Sequence, residues 1–233
     1  MDEVHLSEAQ QVARTMTPSD RSLQQYLSIL QLSLAQLQNK KILDLGSGPD
    51  CRLAKELQQL VPSARVTSFD ACFLADDSVT ANAVGGYFGA LPFDDHSFDI
   101  VLSVFACPLY CEGEELVSLA LCEICRVLSR GGSARLAPLA FHRRFDGGEV
   151  DSSMSQEEIA LSRTIVKTEQ GLCETVLDDV SYGSEPEFFD RLLAQLPFGY
   201  HSKIIPVLIP DVAAEYRYMV EIARTLTPNP FPC

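Results

Sequence analysis

Gly46, Gly48 and Asp70 are the residues of this chain whose types and spacing most clearly promise chemistry. The two glycines let the backbone approach a ligand closely, in dihedrals that a side chain forbids. Asp70 follows Gly46 by 70 − 46 = 24 residues, close to the roughly 20 that separate a glycine turn from an acid receiving ribose hydroxyls. A carboxylate suits that task because it accepts two hydrogen bonds from a vicinal diol. The dinucleotide fingerprint G-x-G-x-x-G is not completed, since Cys51 stands where its last glycine would be. Asp50, expected in the first turn of a helix, favours the helix dipole but repels a pyrophosphate. The ligand expected here is therefore compatible with positive charge and unlike NAD.

These residues need a strand, a turn and a helix to hold them, and Lys41-Ile-Leu-Asp-Leu-Gly-Ser-Gly-Pro-Asp50 supplies all three. Ile42, Leu43 and Leu45 form an apolar run broken by Asp44 and stopped by Gly46, the pattern of a buried parallel strand ending in a tight turn. Pro49 suits a first helical turn, and Leu53, Leu57 and Leu60 follow at helical spacing. A helix N-terminus facing a glycine turn makes a ligand cradle. Val66 to Phe69 is expected to form the neighbouring parallel strand, ending at Asp70. Phe98 to Val104 reads as the clearest buried strand, and Phe105-Ala-Cys-Pro-Leu-Tyr110 follows at its carboxyl end, where open α/β sheets place their ligands.

Leu43-Asp-Leu-Gly-Ser-Gly-Pro49 closely resembles the first motif of class I S-adenosylmethionine-dependent methyltransferases. Arg65-Val-Thr-Ser-Phe-Asp70 resembles their second strand with its terminal acid. Ala90-Leu-Pro-Phe-Asp-Asp-His-Ser-Phe-Asp-Ile-Val-Leu-Ser103 resembles the "ALPF…SFD" approach to strand four, and Glu123-Ile-Cys-Arg-Val-Leu-Ser-Arg-Gly-Gly132 the turn before strand five. The four segments occur in the family's order, and the resemblance runs from Lys41 to about Phe141.

The resemblance implies a doubly wound α/β fold, with a mostly parallel sheet of seven strands or slightly fewer and helices on both faces. It implies S-adenosyl-L-methionine as cofactor and S-adenosyl-L-homocysteine as product. By position, the cofactor-binding residues it implies are Asp44, Gly46, Ser47, Gly48, Asp70, Ala71, Tyr87, Phe88, Gly89 and Ser103. Tyr87 stands where the family has an acid that meets the adenine amino group. Tyr87 and Phe88 either stack on the base, with backbone groups of Phe88 or Gly89 reading its edge, or are core aromatics. The implied reaction moves a methyl group to a small-molecule acceptor by in-line displacement, helped chiefly by positioning and removal of water. A general base is needed only if the acceptor must lose a proton, and His142, then Tyr110, are the candidates by position. Cys107-Pro-Leu-Tyr110 resembles only faintly the "(D/N)PPY" loop of amino-group methyltransferases. Rival readings are a non-catalytic or regulatory domain, supported by Asp50 and Tyr87, and a nucleotide-cofactor oxidoreductase, disfavoured by Cys51 and Asp50.

With 233 residues the chain has room for one well-cored α/β domain with additions. Thirty-two acids against eighteen bases give a net charge of −14, which disfavours a nucleic-acid or anionic-membrane surface. No apolar run reaches membrane-spanning length, and Met1-Asp-Glu-Val-His5 is acidic where a secretory signal is basic. A cytoplasmic monomer or homodimer without a bound metal is expected. The eight cysteines read mostly as reduced thiols, Cys122-x-x-Cys125 as core packing.

Along the chain, residues 1–40 read as a helical cap, with two helices broken at Thr17-Pro18 and Ser7 or Ser19/Asp20 as caps. Leu23, Leu27, Leu30, Leu34 and Leu37 fall on one face of the second. Residues 41–141 form the cofactor-binding core. In it, Glu114–Ser129 is a helix with Leu116, Leu119, Ala120, Ile124, Val127 and Leu128 inward, and Ala134–Phe141 is strand five, broken by Pro138. Residues 142–184, with a helix over 155–168, read as a substrate-facing lid or insertion. Residues 185–233 complete the domain with a helix at Glu185–Leu196, a strand at Lys203–Ile209 and a closing helix at Asp211–Leu226. Family members usually finish with an antiparallel strand pair, of which only one strand is visible here.

Overall fold

The computed structural model describes residues 21–74, 82–111, 113–139, 143–144, 175–176, 186–197, 199–207 and 218–225. Two short helices, α1 (Leu23–Ile29) and α2 (Leu34–Leu37), precede the central strand β1 (Lys41–Leu45). Then come α3 (Arg52–Leu60), β2 (Arg65–Asp70), a 3-10 turn (Ala71–Leu74), β3 (Ala83–Gly85), β4 (Phe98–Val104), α4 (Gly113–Val127) and β5 (Leu128–Ala137). A two-residue pair, β6 (Arg143–Arg144) and β7 (Thr175–Val176), stands apart from the main sheet. Helix α5 (Pro186–Leu193) and strands β8 (Tyr200–Pro206) and β9 (Tyr218–Arg224) complete the described elements.

Seven strands form one sheet in the order β3-β2-β1-β4-β5-β9-β8. The pairs from β3 to β5 are parallel, whereas β9 runs antiparallel to both β5 and β8. Alternation along β1 explains why both faces are covered. Leu43 and Leu45 join Phe69, Val101, Ile124 and Phe189 in a core under α4 and α5. Ile42 joins Leu53, Leu57, Val66 and Leu102 in a second core under α1 and α3. Asp44 lies on that second face, in a position that pattern alone would fill with an apolar residue.

Helix α1 is fastened at both ends by charged side chains from the α/β body. Ser22 and Gln25 close a capping box at its start, and Glu56 of α3 accepts from the Leu23 amide at 2.6 Å. At its end, Arg135 of β5 donates to the Leu30 and Gln31 carbonyls, both at 2.6 Å, while facing Glu221 of β9 at 3.4 Å. A carboxylate at the amino end and a guanidinium at the carboxyl end both match the helix dipole. Arg135→Ala is expected to cost about 2 kcal/mol, because two carbonyls lose a charged donor. Urea denaturation checks this, and an unchanged midpoint would exclude the fastening role.

Several expectations are corrected. Residues 218–224 of the expected closing helix form β9, because Val220 and Ile222 fill the core between β5 and β8 in antiparallel register. The family's terminal strand pair is therefore present. The leucine face of the cap is not one helix: the chain turns at Leu30–Ser33, with Gln31 at φ 50°, so Tyr26 and Ile29 are buried and Leu27 and Leu34 only partly. Helix α3 starts three residues after Pro49, because Cys51 takes a left-handed conformation at φ 48°. Strand β5 begins at Leu128, through Gly131-Gly132, and ends before Pro138. Leu119 and Leu60 face solvent, as does Cys122, while Cys125 is buried. The cap signals before Arg21 and the 155–168 helix lie outside the described residues.

Candidate functional site

The turn after β1 is held from two sides. Gly46 and Ser47 both donate their amides to the Phe69 carbonyl of β2, at 2.7 and 3.1 Å. The Gly48 amide donates to Asp70 Oδ2 at 2.9 Å. From the other side, the loop after β4 packs so tightly that a Cβ at Gly46 would overlap the Cβ of Ala106 outright, with the Phe88 ring close behind. Gly46 has φ +85°, a second reason that only glycine serves here. Ser103 ties this junction together: its hydroxyl donates to the Leu45 carbonyl and accepts from the Cys107 amide, each at 2.8 Å.

Beneath the turn lies a buried acidic group without compensation. Asp44 is 0% exposed, and neither of its carboxylate oxygens has a hydrogen bond of ordinary geometry. Ser68, its register partner on β2, also has a buried hydroxyl oxygen without a partner. Tyr26 of α1 turns its hydroxyl toward Asp44, and Asp70 adds like charge from β2. Burial, then repulsion from Asp70, pushes the Asp44 carboxyl up to about 8, with Tyr26 opposing. Burial also raises the Tyr26 phenol, with Asp44 the next cause.

A cation stands at the rim of this acidic floor. The Arg21 guanidinium lies 4.1 Å from the centroid of the Phe105 ring and has no carboxylate partner among the described residues. Phe105 presents that ring from a left-handed backbone, φ 55°, unusual for a bulky side chain and placed at the carboxyl end of β4. Tyr110 leaves 49% of its surface exposed, and burial of its phenol raises its pKa, with Arg21 opposing and Asp70 adding. Arg21, Tyr26, Asp44, Asp70 and Tyr110 thus share one electrostatic neighbourhood.

Of the residues expected at the site, Asp44, Gly46, Ser47, Gly48 and Asp70 converge at the carboxyl ends of β1 and β2, with Ala71 opening the following 3-10 turn. Ser103 is fully buried, its hydroxyl engaged by backbone groups. Phe88 packs between Gly46 and Phe69, its ring centroid 6.5 Å from that of Phe69. Tyr87 follows the short β3 and bridges to Ala90, and Gly89 packs on Leu116. Arg126 of α4 staples the next loop by donating to the carbonyls of Leu91 and Phe93 at 2.8 and 2.7 Å. Asp50 is exposed in the turn before α3. His142 lies outside the described residues. Sequence reasoning missed Arg21 and Tyr26, and placed Phe105 only within the loop at the carboxyl end of β4. An arginine ahead of a helix and an aromatic on its leucine face were the only signals available.

The model of a methyltransferase domain family matches residues 43–136, which run from β1 into β5. No curated protein matches the chain. Among solved structures, a SAM-dependent methyltransferase from Methanosarcina mazei superposes with a TM-score of 0.50 at 18% identity, over 80% of this chain and 92% of that one. Human N-acetylserotonin methyltransferase, solved in complex with SAM, gives a TM-score of 0.49 at 19% identity, over 96% of this chain and 55% of its own. Residues 43–136, from β1 into β5, thus match a methyltransferase domain family, and the sheet around them has the Rossmann-like strand order.

Proposed function

We propose that this chain binds S-adenosylmethionine at the carboxyl ends of β1, β2 and β4 and methylates a small molecule. The observation that carries this is Asp44, a fully buried carboxyl with two unpartnered oxygens under a glycine turn. Leaving such a group unpaired is costly, and an ammonium group is the partner that removes the cost. When bound, the cofactor supplies an electrophilic methyl group on a sulfonium. Asp44 would hold its ammonium group and Arg21 its carboxylate. Asp70 already accepts from Gly48, yet a carboxylate has capacity for further donors such as ribose hydroxyls. Phe88 and Phe105 would exclude water from the flanks.

At neutral pH the raised Tyr110 phenol stays protonated, so its role is to orient an acceptor by donating a hydrogen bond. Proton removal, where the acceptor requires it, would fall to His142. Residues 1–40 would act as a cap on the core of 41–141, residues 142–184 as a lid, and residues 185–233 as the rest of the same domain. The net charge of −14 supports a small acceptor over nucleic acid or an anionic membrane. No helix among the described residues is long and apolar enough to cross a membrane; the reading takes the chain as a cytoplasmic monomer or homodimer.

The test is calorimetric titration with S-adenosylhomocysteine and with 5′-methylthioadenosine, which lacks the amino-acid end. The wild-type chain should bind the first at micromolar concentration. Asp70→Ala should weaken both ligands roughly 30-fold, the loss of about two hydrogen bonds to a charged group. Arg21→Gln should weaken only S-adenosylhomocysteine, about tenfold. No heat with S-adenosylhomocysteine in the wild type would overturn the proposal.

A further inference from the structure

Resting on that reading, we infer that cofactor binding in this cleft drives a proton off Asp44 into solvent, so that affinity is linked to pH. The geometry leaves the carboxyl little choice before binding. It is wholly shielded from water, neither oxygen has a hydrogen bond of ordinary geometry although the Tyr26 hydroxyl faces it, and its register neighbour Ser68 does not satisfy it. Among the described residues, the elements packed around it bring the following groups. From α1 comes the Tyr26 phenol, and from β2 the like-charged Asp70. β4 offers Leu102, which has no charge. On α3, Arg52 and Glu56 pair with each other at 2.6 Å. Arg21 stands further out, over Phe105, and acts on Tyr26. No described cation neutralises Asp44 from within the protein.

The proton balance follows. Before binding, the group is a neutral carboxyl. An arriving ammonium group, already carrying its proton, gains most from a carboxylate. The carboxyl O–H bond therefore breaks, its electron pair stays on oxygen, and the proton leaves to buffer. One positive charge enters the cleft and one proton departs, so the net charge of the buried cluster is conserved. Burial and Asp70 hold the free carboxyl at about 8, so at pH 7 the larger part of the molecules carry a proton to be released.

The experiment is titration of the full chain with S-adenosylhomocysteine at pH 7, in phosphate, HEPES and Tris, whose ionisation enthalpies differ. The slope of observed heat against buffer enthalpy counts protons. Release of most of one proton per ligand is expected, falling as the pH is raised to 9. Affinity should rise between pH 6 and 7 by nearly tenfold. 5′-Methylthioadenosine has no ammonium group and should release none from the wild type, a control that requires no variant. Asp44→Asn should abolish release with S-adenosylhomocysteine wherever binding persists. Buffer-independent heat with the wild type would overturn the coupling while leaving the cofactor assignment standing. Equal release with 5′-methylthioadenosine would also overturn it, because the proton would then come from another group. Absence of any S-adenosylhomocysteine binding removes both.

Discussion

Gly46→Ala should lose about 3 kcal/mol of folding stability, a large share of what holds a domain of this size together. Two effects add. The new methyl collides with Ala106, and relieving an overpacked junction costs about 1–3 kcal/mol. A non-glycine residue held at φ +85° costs about 1 kcal/mol more. The first effect can be removed separately, since Ala106→Gly takes away the atom that is struck. The double variant should recover the collision energy and keep the conformational one, giving a coupling of about 2 kcal/mol in a urea-denaturation cycle. S-adenosylhomocysteine binding should be lost in Gly46→Ala and partly restored in the pair. A Gly46→Ala protein within 1 kcal/mol of wild type would mean that the turn and the loop after β4 do not meet.

Asp44→Asn should stabilise the ligand-free protein, and only above acidic pH. A carboxyl free in the unfolded chain ionises near its ordinary value of 3.8, while in the fold it ionises near 8. Below the lower value both states hold the proton and the group contributes nothing. Between the two, the unfolded state sheds its proton while the folded state keeps it, so stability falls with each unit of pH. Above the upper value the full loss is present, about 6 kcal/mol as an upper limit at 1.36 kcal/mol per unit. Asparagine resembles the neutral carboxyl in shape and polarity and carries no such dependence. Thermal melts should therefore coincide near pH 4 and separate by several degrees at pH 8, the variant melting higher. Coincident curves at both pH values would show that Asp44 is solvated or paired in solution. The same substitution should weaken S-adenosylhomocysteine, so stability and binding would move in opposite directions.

The centre of the sheet was legible because its signals are local. An apolar run stopped by glycine, an acid about 24 residues later and a seven-residue apolar strand at Phe98–Val104 each declare themselves within one element. β9 was not legible for the opposite reason. Tyr218-Met-Val-Glu-Ile-Ala-Arg224 reads equally well as an amphipathic helix, and what decides is the unpaired edge of β5, more than eighty positions earlier. Arg21 and Tyr26 belong to the same class. Nothing in their own neighbourhood points to Phe105 or Asp44; only the turn at Leu30–Ser33 brings α1 back over the cleft. The Tyr87–Gly89 stretch lies between these cases. Its loop is fixed by Arg126, a residue that the sequence offers merely as one more helical charge.

The fastening of α1 imposes an order on synthesis. Ribosomes deliver this helix ahead of the sheet, yet its carboxyl-end anchor, Arg135, lies 105 positions after Leu30. Arg135 in turn meets Glu221 another 86 positions on. The helix made first therefore waits longest for its full anchorage, and a nascent chain stalled before β5 carries Asp44 beneath a roof that Glu56 alone holds. Folding intermediates on the ribosome should accordingly remain open to proteases near Tyr26 until β5 emerges.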